Sequence, residues 1–200
     1  MTQVQLAVFA RAPVAGQCKT RLIPALGAEG AAALHAQLVE RTVKVAMSVA
    51  HAEVTLWTEG KADHPFFQYL ACAYPVLQWR QQPEGDLGER MHQVFVAHQQ
   101  PTLLMGSDCP VFTSALLTEY AALLQQHDAV IVPAEDGGYV LVGLQTPCVE
   151  IFRCVDWGSD RVMDQTRQRL CQLALRWIEP EMLWDIDRPE DMQRWADMRK

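Results

Sequence analysis

The first loop of the chain carries cations that could bind an anion. Residues 1–28 contain no aspartate or glutamate, although acidic residues outnumber lysine and arginine 24 to 17 overall. Arg11, Lys19 and Arg21 lie in this acid-free stretch, with Gly16 between them. Guanidinium and ammonium groups bind phosphate oxygens, and glycine lets the backbone approach a ligand closely. The stretch therefore predicts a phosphate-binding loop, although a solvated basic loop would have the same composition.

Three aspartates lie where apolar segments end, and a divalent metal ion could bind them. Asp108 follows the run LLMGS and is the only formally charged residue between Arg90 and Glu119. Asp185 and Asp187 form a DxD-like pair near the end of the chain. Mg²⁺ and Mn²⁺ bind one or two carboxylates and complete their shell with substrate phosphates and water. We predict Asp108 as one ligand and a member of the pair as another; a turn at Asp108 and helix capping by the pair are the alternatives.

The segment PAEDGGY combines hydrogen-bond acceptors with paired glycines. Glu135 and Asp136 could accept bonds from sugar hydroxyls or support a metal from outside its ligand shell. Gly137 and Gly138 permit positive φ and close backbone approach. A plain hairpin turn would use the same residues. The segment therefore predicts either an acceptor-binding turn or a structural hairpin.

These groups must be positioned by the elements before and after them. Short β-rich apolar runs alternate with segments of helical periodicity, such as residues 28–50, and the last run covers residues 173–178. The alternation predicts right-handed βαβ units and a mostly parallel sheet, with two strands joined by the PAEDGGY turn. We expect a three-layer α/β/α sandwich formed by a single domain over residues 1–200.

The expected location of a ligand follows from this fold class. In open α/β sheets, ligands bind in the crevice at the carboxyl ends of the strands. The loops that should meet there follow Phe9, Met105, Val132 and Ile178. All the candidate residues described above lie in or beside these loops.

The overall composition restricts the class of protein. The formal net charge is −7, whereas nucleic-acid-binding proteins usually carry a basic face. Six scattered cysteines without a CxxC pair predict reduced thiols in a cytoplasmic protein. No apolar run approaches the ~20 residues of a membrane-spanning helix, and the amino terminus lacks the basic region of a signal peptide. We therefore predict a cytoplasmic protein with no nucleic-acid partner and no membrane span; the sequence does not indicate its oligomeric state.

Six motifs together resemble one known family. FARAPVAGQCKTRL, GDLGERM, MGSDCP, PAEDGGYVLVG, WGSDRVMDQT and DIDRPED occur in the order seen in the rSAM/selenodomain-associated transferase family. The resemblance covers the chain from Phe9 to Asp191. That family is similar to nucleotide-diphospho-sugar transferases of the GT-A type, to 2-phospho-L-lactate guanylyltransferase and to molybdenum-cofactor nucleotidyltransferases. In this chain a Lys-Thr-Arg-Leu segment replaces the glycine-rich first loop typical of sugar nucleotidyltransferases.

The resemblance implies a GT-A, nucleotide-diphospho-sugar-transferase-like fold and a role for each matching residue. Asp108 and Asp187 would bind Mg²⁺ or Mn²⁺, and Lys19 would join Asp108 as a catalytic residue that stabilises the leaving phosphate. The nucleotide and its phosphates would contact Arg11, Gly16, Lys19, Arg21, Asp86 and Arg90. The acceptor or sugar would contact Glu135, Asp136, Gly137, Gly138, Trp157 and Ser159.

The resulting functional prediction is a metal-dependent, glycosyltransferase-like enzyme with a nucleotide-sugar donor and a small-molecule acceptor. One alternative is a nucleotidyltransferase that moves a nucleoside monophosphate from a triphosphate to a small phosphorylated acceptor. Another is a non-catalytic nucleotide-binding module of the same fold. A dinucleotide-dependent oxidoreductase is disfavoured because the chain has no GxGxxG fingerprint.

Overall fold

Within residues 4–60 and 63–198, which the computed structural model describes, seven strands form one sheet. The strands are β1 (Val4–Arg11), β2 (Ala52–Glu59), β3 (Gln78–Gln81), β4 (Thr102–Gly106), β5 (Ala129–Pro133), β6 (Tyr139–Leu144) and β7 (Trp177–Ile178). The helices are α1 (Ile23–Met47), α2 (Pro65–Ala73), α3 (Leu87–His98), α4 (Ser114–Leu124), α5 (Val162–Gln172) and α6 (Asp191–Met198).

The strand order is β3-β2-β1-β4-β6-β5-β7. Every neighbouring pair is parallel except those of β6, which runs antiparallel to β4 and β5. The exception is the pair of strands joined by the PAEDGGY turn. Because the other strands are parallel, their carboxyl ends lie at one edge of the sheet, and the predicted loops follow them there.

Helices cover both faces of the sheet because the strands are apolar on both sides. Leu6 and Val8 of β1 belong to a core that includes buried residues of α1, α2 and α4. Ala7, which points to the opposite face, belongs to a second core that includes α3 and α5. Alternation of side chains along a strand produces this division. The predicted three-layer α/β/α sandwich is confirmed.

Helix α1 is long and apolar, and its beginning is irregular. Gly27 has φ 70° and ψ 166° inside the helix, so the regular part begins at about residue 28, as the periodicity predicted. The segment Thr20–Met47 is long and apolar enough to cross a membrane by length and composition. This is weak evidence for a span, because core helices pass the same test, and the buried residues of α1 pack into the protein's cores.

A third, smaller core attaches the end of the chain to α1. Leu22, Leu34 and Leu38 pack against Trp184 and Ile186 in this cluster, which also contains Trp195 of α6. The contact holds the segment between β7 and α6 over the first loop. The aspartates of that segment therefore lie close to residues that are far away in sequence.

Candidate functional site

The segment after β7 follows the end of β5 and then reaches the loop after β4. The backbone N–H of Leu183 donates to the carbonyl oxygen of Pro133 at 2.9 Å. Three residues later, the N–H of Ile186 donates to the carbonyl oxygen of Asp108 at 3.0 Å. These bonds carry the DxD-like pair to the carboxyl edge of the sheet, beside the aspartate predicted as the first metal ligand.

Lys19 joins the first loop to this arrangement. Its Nζ lies 2.8 Å from Oδ2 of Asp108 and also donates to the carbonyl oxygen of Ile186. The Lys19 side chain is 4% exposed. Burial opposes ionisation of Asp108, but Lys19 and His35 outweigh it and hold the pKa of Asp108 at about 2. The contacts with Asp108 and Ile186 use two of the three hydrogens of the Lys19 ammonium group, which leaves one for a ligand.

His35 of α1 faces the other oxygen of Asp108. Its Nδ1 lies 3.7 Å from Oδ1 of Asp108, and its Nε2 lies 3.1 Å from the carbonyl oxygen of Arg11. Because a carbonyl only accepts, Nε2 donates in that contact. Nδ1 and Oδ1 are buried and have no hydrogen-bond partner among the described residues. Sequence reasoning missed His35 because it occupies an ordinary buried position in a helix, where no local motif distinguishes it.

Arg11 is part of a network at the ends of β1, β2 and β3. Its Nη2 and Nε contact Oε1 and Oε2 of Glu59 at 3.0 and 3.2 Å. Arg90 of α3 reaches the same carboxylate at 3.3 Å and donates to Oε1 of Gln82 at 3.0 Å. Glu59 and Gln82 were not predicted as site residues. Their presence means that the two arginines are held in position and that half of their charge is offset.

The two aspartates of the DxD-like pair differ in their contacts. Asp187 forms an ion pair with Arg21, whose side chain is 65% exposed. Asp185 forms no ion pair within the described residues, and burial, with the nearby carboxylates of Asp136, Asp108 and Asp187, raises its pKa to about 6. A nearby carboxylate disfavours ionisation of a buried carboxyl group, and a cation bound beside it relieves the repulsion.

Two adjoining cavities open at this edge of the sheet. The first, here called the first-loop cavity, has a volume of about 580 Å³. Its charged lining comprises four cations and three carboxylates: Arg11, Lys19, Arg21, Arg90, Glu59, Asp108 and Asp187. The first loop has no acidic residue in sequence, but the folded site is not purely cationic, because carboxylates from distant segments pair with each cation of this loop.

The second, here called the turn cavity, has a volume of about 770 Å³ and an acidic, aromatic lining. Its charged residues are Arg21, Arg188, Glu135, Asp136, Asp160, Asp185, Asp187 and Asp191. Its aromatic residues are Tyr139, Trp157 and Trp184. Both cavities include Arg21, Leu87 and Asp187 in their walls, so a ligand that extends past these residues would occupy both.

The PAEDGGY turn is fastened to the loop before α5. Gly137 has φ 90°, and a Cβ atom there would overlap the carbonyl oxygen of Asp160. Met163 donates its N–H to the carbonyl oxygen of Gly137 at 2.8 Å, and Asp136 accepts the N–H of Gly138 at 2.9 Å. Glycine is required here for both backbone angle and space, so this close approach holds Asp136 and Asp160 in the same wall.

Most of the predicted site residues line one of the two cavities. These are Arg11, Lys19, Arg90 and Asp108 in the first, Glu135, Asp136, Gly138, Trp157 and Ser159 in the second, and Arg21 and Asp187 in both. Gly16, Asp86 and Gly137 line neither cavity in the described part of the chain. Gly16 has φ 81° in the first loop, and Asp86 is the N-cap of α3, with a reciprocal capping box to Glu89. The Asp86 side chain therefore caps α3, and its contact with a nucleotide stays a prediction.

The residues present fit a divalent metal only if a ligand completes its shell. No group of three or more metal-ligating side chains converges within residues 4–60 and 63–198. Burial, together with the carboxylates of Asp136, Asp108 and Asp187, nevertheless raises the pKa of Asp185, so negative charge is present near this point. Mg²⁺ in nucleotide enzymes commonly has one or two carboxylate ligands, with phosphates and water as the rest. The carboxylates at this edge of the sheet therefore suit a metal ion that is bound jointly by the protein and a phosphate ligand, and not one bound by protein side chains alone.

A family model matches more than half of the chain. The match covers residues 42–159 and is to the family described as "Uncharacterized protein conserved in bacteria (DUF2064)". The matched part includes Asp108, the PAEDGGY turn and Trp157. No curated protein matches the chain. The association with rSAM proteins stays a prediction.

Solved structures with the same fold include proteins described as a nucleotide-diphospho-sugar transferase and a nucleotidyl transferase. A Desulfovibrio desulfuricans G20 protein provisionally assigned as a nucleotide-diphospho-sugar transferase is 29% identical, with a TM-score of 0.89 over 100% of this chain and 89% of that one. CMP:2-keto-3-deoxy-manno-octonic acid synthetase complexed with CTP is 10% identical, with a TM-score of 0.61 over 99% and 98%. Rv0371c of Mycobacterium tuberculosis H37Rv, complexed with manganese, is 16% identical, with a TM-score of 0.54 over 98% and 99%. The nucleotide-diphospho-sugar-transferase-like fold is confirmed.

Proposed function

We propose that this chain, which belongs to the DUF2064 family, is a metal-dependent glycosyltransferase that uses a nucleotide-sugar donor. The observation that carries the proposal is the pair of adjoining cavities at the carboxyl edge of the sheet. Three arginines and a lysine line the first-loop cavity together with three carboxylates, whereas carboxylates and aromatic rings predominate in the turn cavity. A nucleoside diphosphate in the first would direct its sugar past Arg21 and Asp187 into the second. The 29% identical relative supports a donor of this class.

The charge of the first-loop cavity favours a nucleotide sugar over a triphosphate. A nucleoside triphosphate carries roughly twice the negative charge of the diphosphate in a nucleotide sugar. The four cations of the cavity are largely offset by its three carboxylates. The glycine-rich first loop of sugar nucleotidyltransferases is also replaced by Lys19-Thr20-Arg21-Leu22. Both features suit the smaller charge.

The proposed metal ligands are Asp108 and Asp187, with Asp185 as the other candidate for the second position. A bound Mg²⁺ or Mn²⁺ would stabilise negative charge on the leaving diphosphate as a Lewis acid. The manganese complex of Rv0371c supports divalent metal use in this fold. Lys19 would donate its remaining hydrogen to a phosphate oxygen, and Arg21 would lie at the passage between the cavities.

In the proposed reaction, the acceptor hydroxyl oxygen forms a bond to the anomeric carbon of the sugar. The bond between that carbon and the diphosphate oxygen breaks, and its electron pair stays on the diphosphate. The acceptor loses its hydroxyl proton to solvent or to a nearby carboxylate. The protein's contribution is to hold donor and acceptor together and to balance the charge on the leaving group.

The second candidate function is nucleotidyl transfer. It is favoured by the fold of the CTP-bound synthetase, which covers nearly the whole chain. In that reaction an acceptor oxygen attacks the α-phosphorus of a triphosphate and diphosphate leaves. The two reactions therefore differ in their products.

The test is a panel of nucleotide sugars and nucleoside triphosphates, incubated with the protein and Mn²⁺ or Mg²⁺. Thermal shifts identify the nucleotides that bind, and chromatography identifies what they become. We expect a nucleotide sugar to bind and to release its nucleoside diphosphate slowly even with water as acceptor. Release of diphosphate from a triphosphate would establish nucleotidyl transfer instead. Binding without turnover under every condition would indicate a non-catalytic module.

A further inference from the structure

The turn cavity contains more negative charge than the metal and donor require. Three of its carboxylates form no ion pair with any described residue: Asp136, Asp160 and Asp185. The paired acids of the same lining are Glu135, which contacts Arg194, and Asp187. Asp191 accepts two backbone N–H groups at the start of α6. The three unpaired carboxylates thus define the charge that a ligand would meet.

The cations of the lining do not offset this charge. Among the described residues, Arg188 is the lining cation that forms no ion pair, and one guanidinium cannot balance three carboxylates. A divalent ion bound at Asp108 with Asp185 or Asp187 would neutralise charge at the boundary between the cavities. Asp136 and Asp160 would still face the interior of the turn cavity unpaired.

The backbones of Asp136 and Asp160 are placed beside each other at the turn cavity by a close contact. The backbone of Gly137, next to Asp136, approaches the backbone of Asp160 so closely that only glycine fits. Asp136 also accepts the N–H of Gly138 at 2.9 Å through Oδ1, which leaves Oδ2 available to a ligand. The backbones of both residues are therefore fixed in one wall of the cavity, and one oxygen of the Asp136 carboxylate is hydrogen-bonded there.

Aromatic rings form another part of the cavity wall. Trp157 meets Tyr139 edge to face, with ring centroids 6.3 Å apart and an interplanar angle of 89°. Trp184 is covered on one side by Arg194, whose guanidinium carbon lies 4.3 Å from the ring centroid. Flat aromatic surfaces beside hydrogen-bond acceptors accommodate molecules with apolar faces and hydroxyl edges.

We infer, on the basis of the proposed function, that the acceptor is a hydroxylated molecule without phosphate or carboxylate groups. Asp136 and Asp160 are its specificity-determining residues. Hydroxyl and ammonium groups donate to carboxylates, whereas an anionic acceptor would be repelled by both side chains at short range. A neutral or amine-bearing polyol satisfies the cavity, and a phosphorylated acceptor does not.

The test compares three sugars that share one ring and differ in charge: glucosamine, glucose and glucuronate. Their dissociation constants are measured by NMR titration at neutral pH, with Mg²⁺ and a saturating nucleoside diphosphate present. Glucosamine and glucose should bind at least about fivefold more tightly than glucuronate, the effect of one like charge at contact distance in water. The D136N/D160N double variant should remove this difference.

The matched control is the E29Q/E119Q double variant, which changes the net charge equally at two exposed residues outside both cavity linings. It should retain the wild-type preference. Equal or tighter binding of glucuronate, or no binding of any of the three sugars, would overturn the inference. A parallel titration with nucleoside diphosphates separates the two proposals, because a failure to bind any nucleotide contradicts the proposed function itself.

Discussion

At the scale of single residues, Asp108 is the centre of the candidate site. It lies 2.8 Å from Lys19 and 3.7 Å from His35, and its pKa of about 2 keeps it ionised at neutral pH. The D108N variant keeps the shape and removes the charge. We expect donor turnover to fall by about 100-fold or more, the cost of losing one group that stabilises transition-state charge. Full Mn²⁺-dependent release of nucleoside diphosphate by D108N would contradict the assignment, and E119Q is the control expected to keep wild-type turnover.

Lys19 is expected to contribute to stability as well as to binding. The K19M variant leaves Asp108 and the carbonyl of Ile186 without their buried partner. We expect a loss of about 2 kcal/mol in the free energy of unfolding, below the value for fully buried pairs because Asp108 is partly exposed. Urea unfolding of K19M, D108N and the double variant measures this. The loss in the free energy of unfolding should be smaller in the double variant than the sum of the losses in the two single variants. If the losses simply add, Lys19 and Asp108 do not interact.

Local motifs predicted many of the residues that line the two cavities, but they could not show how these residues pair. Arg11, Lys19 and Arg21 were predicted to form a phosphate-binding loop, and residues 1–28 contain no acid that could have indicated their ion pairs. Their partners are Glu59 and two aspartates more than eighty residues away, brought to them by strand order and by the last segment. An ion pair between distant segments has no signature in either segment. The same reason explains why His35 and Gln82 were missed.

At the scale of elements, the PAEDGGY turn depends on one glycine. An alanine at Gly137 would combine an unfavourable φ of 90° with a steric clash against the Asp160 carbonyl. Gly158 has φ 82°, but a Cβ atom added there would have no other atom within 4 Å, so it isolates the cost of the backbone angle. We expect G158A to lose about 1 kcal/mol in the free energy of unfolding and G137A to lose distinctly more. If G137A and G158A lose equal free energy in urea unfolding, the close contact between the PAEDGGY turn and the loop before α5 does not contribute to stability.

The end of α3 should make stability depend on pH. Burial, with Arg80 nearby, lowers the pKa of His98 from 6.5 to about 4, and its ring meets Trp57 edge to face at 5.8 Å. The unfolded chain therefore binds this proton more readily than the folded one between these pH values. Stability should be complete above about pH 6.5 and fall as the pH decreases towards 4, by at most about 3 kcal/mol.

The H98F variant tests this by removing the titrating group while keeping an aromatic ring. The decrease in unfolding free energy between pH 6.5 and 4 should be smaller in H98F than in the wild type. H92Q, on the same helix, is the control and should follow the wild-type curve. Parallel curves for wild type and H98F would show that the proton on His98 does not oppose folding.

The boundaries of elements were predicted less well than their types. The strand expected over residues 173–178 is limited to Trp177–Ile178. Ala174 has φ 52° and donates to the carbonyl oxygen of Cys171, which completes the end of α5 and delays the strand. Such a helix end depends on the backbone conformation of one residue, which apolar periodicity does not reveal.

At the scale of the whole molecule, periodicity was sufficient for the fold class and insufficient for the strand order. The alternation of strands and helices predicted a mostly parallel sandwich, and the PAEDGGY turn predicted a departure from it. The position of β6 between β4 and β5 depends on contacts between segments that are distant in sequence, so local patterns do not reveal it. This order places Asp108, after β4, close to the turn between β5 and β6. The site is therefore a consequence of topology as much as of its motifs.

Metal and nucleotide should bind this molecule cooperatively. No three metal-ligating side chains converge in the described residues, so Mn²⁺ alone lacks a complete set of protein ligands. A bound diphosphate supplies further oxygen ligands to the ion, and the positive charge of the ion in turn stabilises the bound diphosphate. We expect Mn²⁺ alone to raise the melting temperature slightly, and Mn²⁺ with the nucleoside diphosphate to raise it by more than their separate effects combined. A nucleotide present at about 100 times its dissociation constant adds about 2.7 kcal/mol of stability. Thermal unfolding with each component, with both, and with EDTA measures the coupling; a full shift with Mn²⁺ alone would show that the protein supplies the metal site by itself.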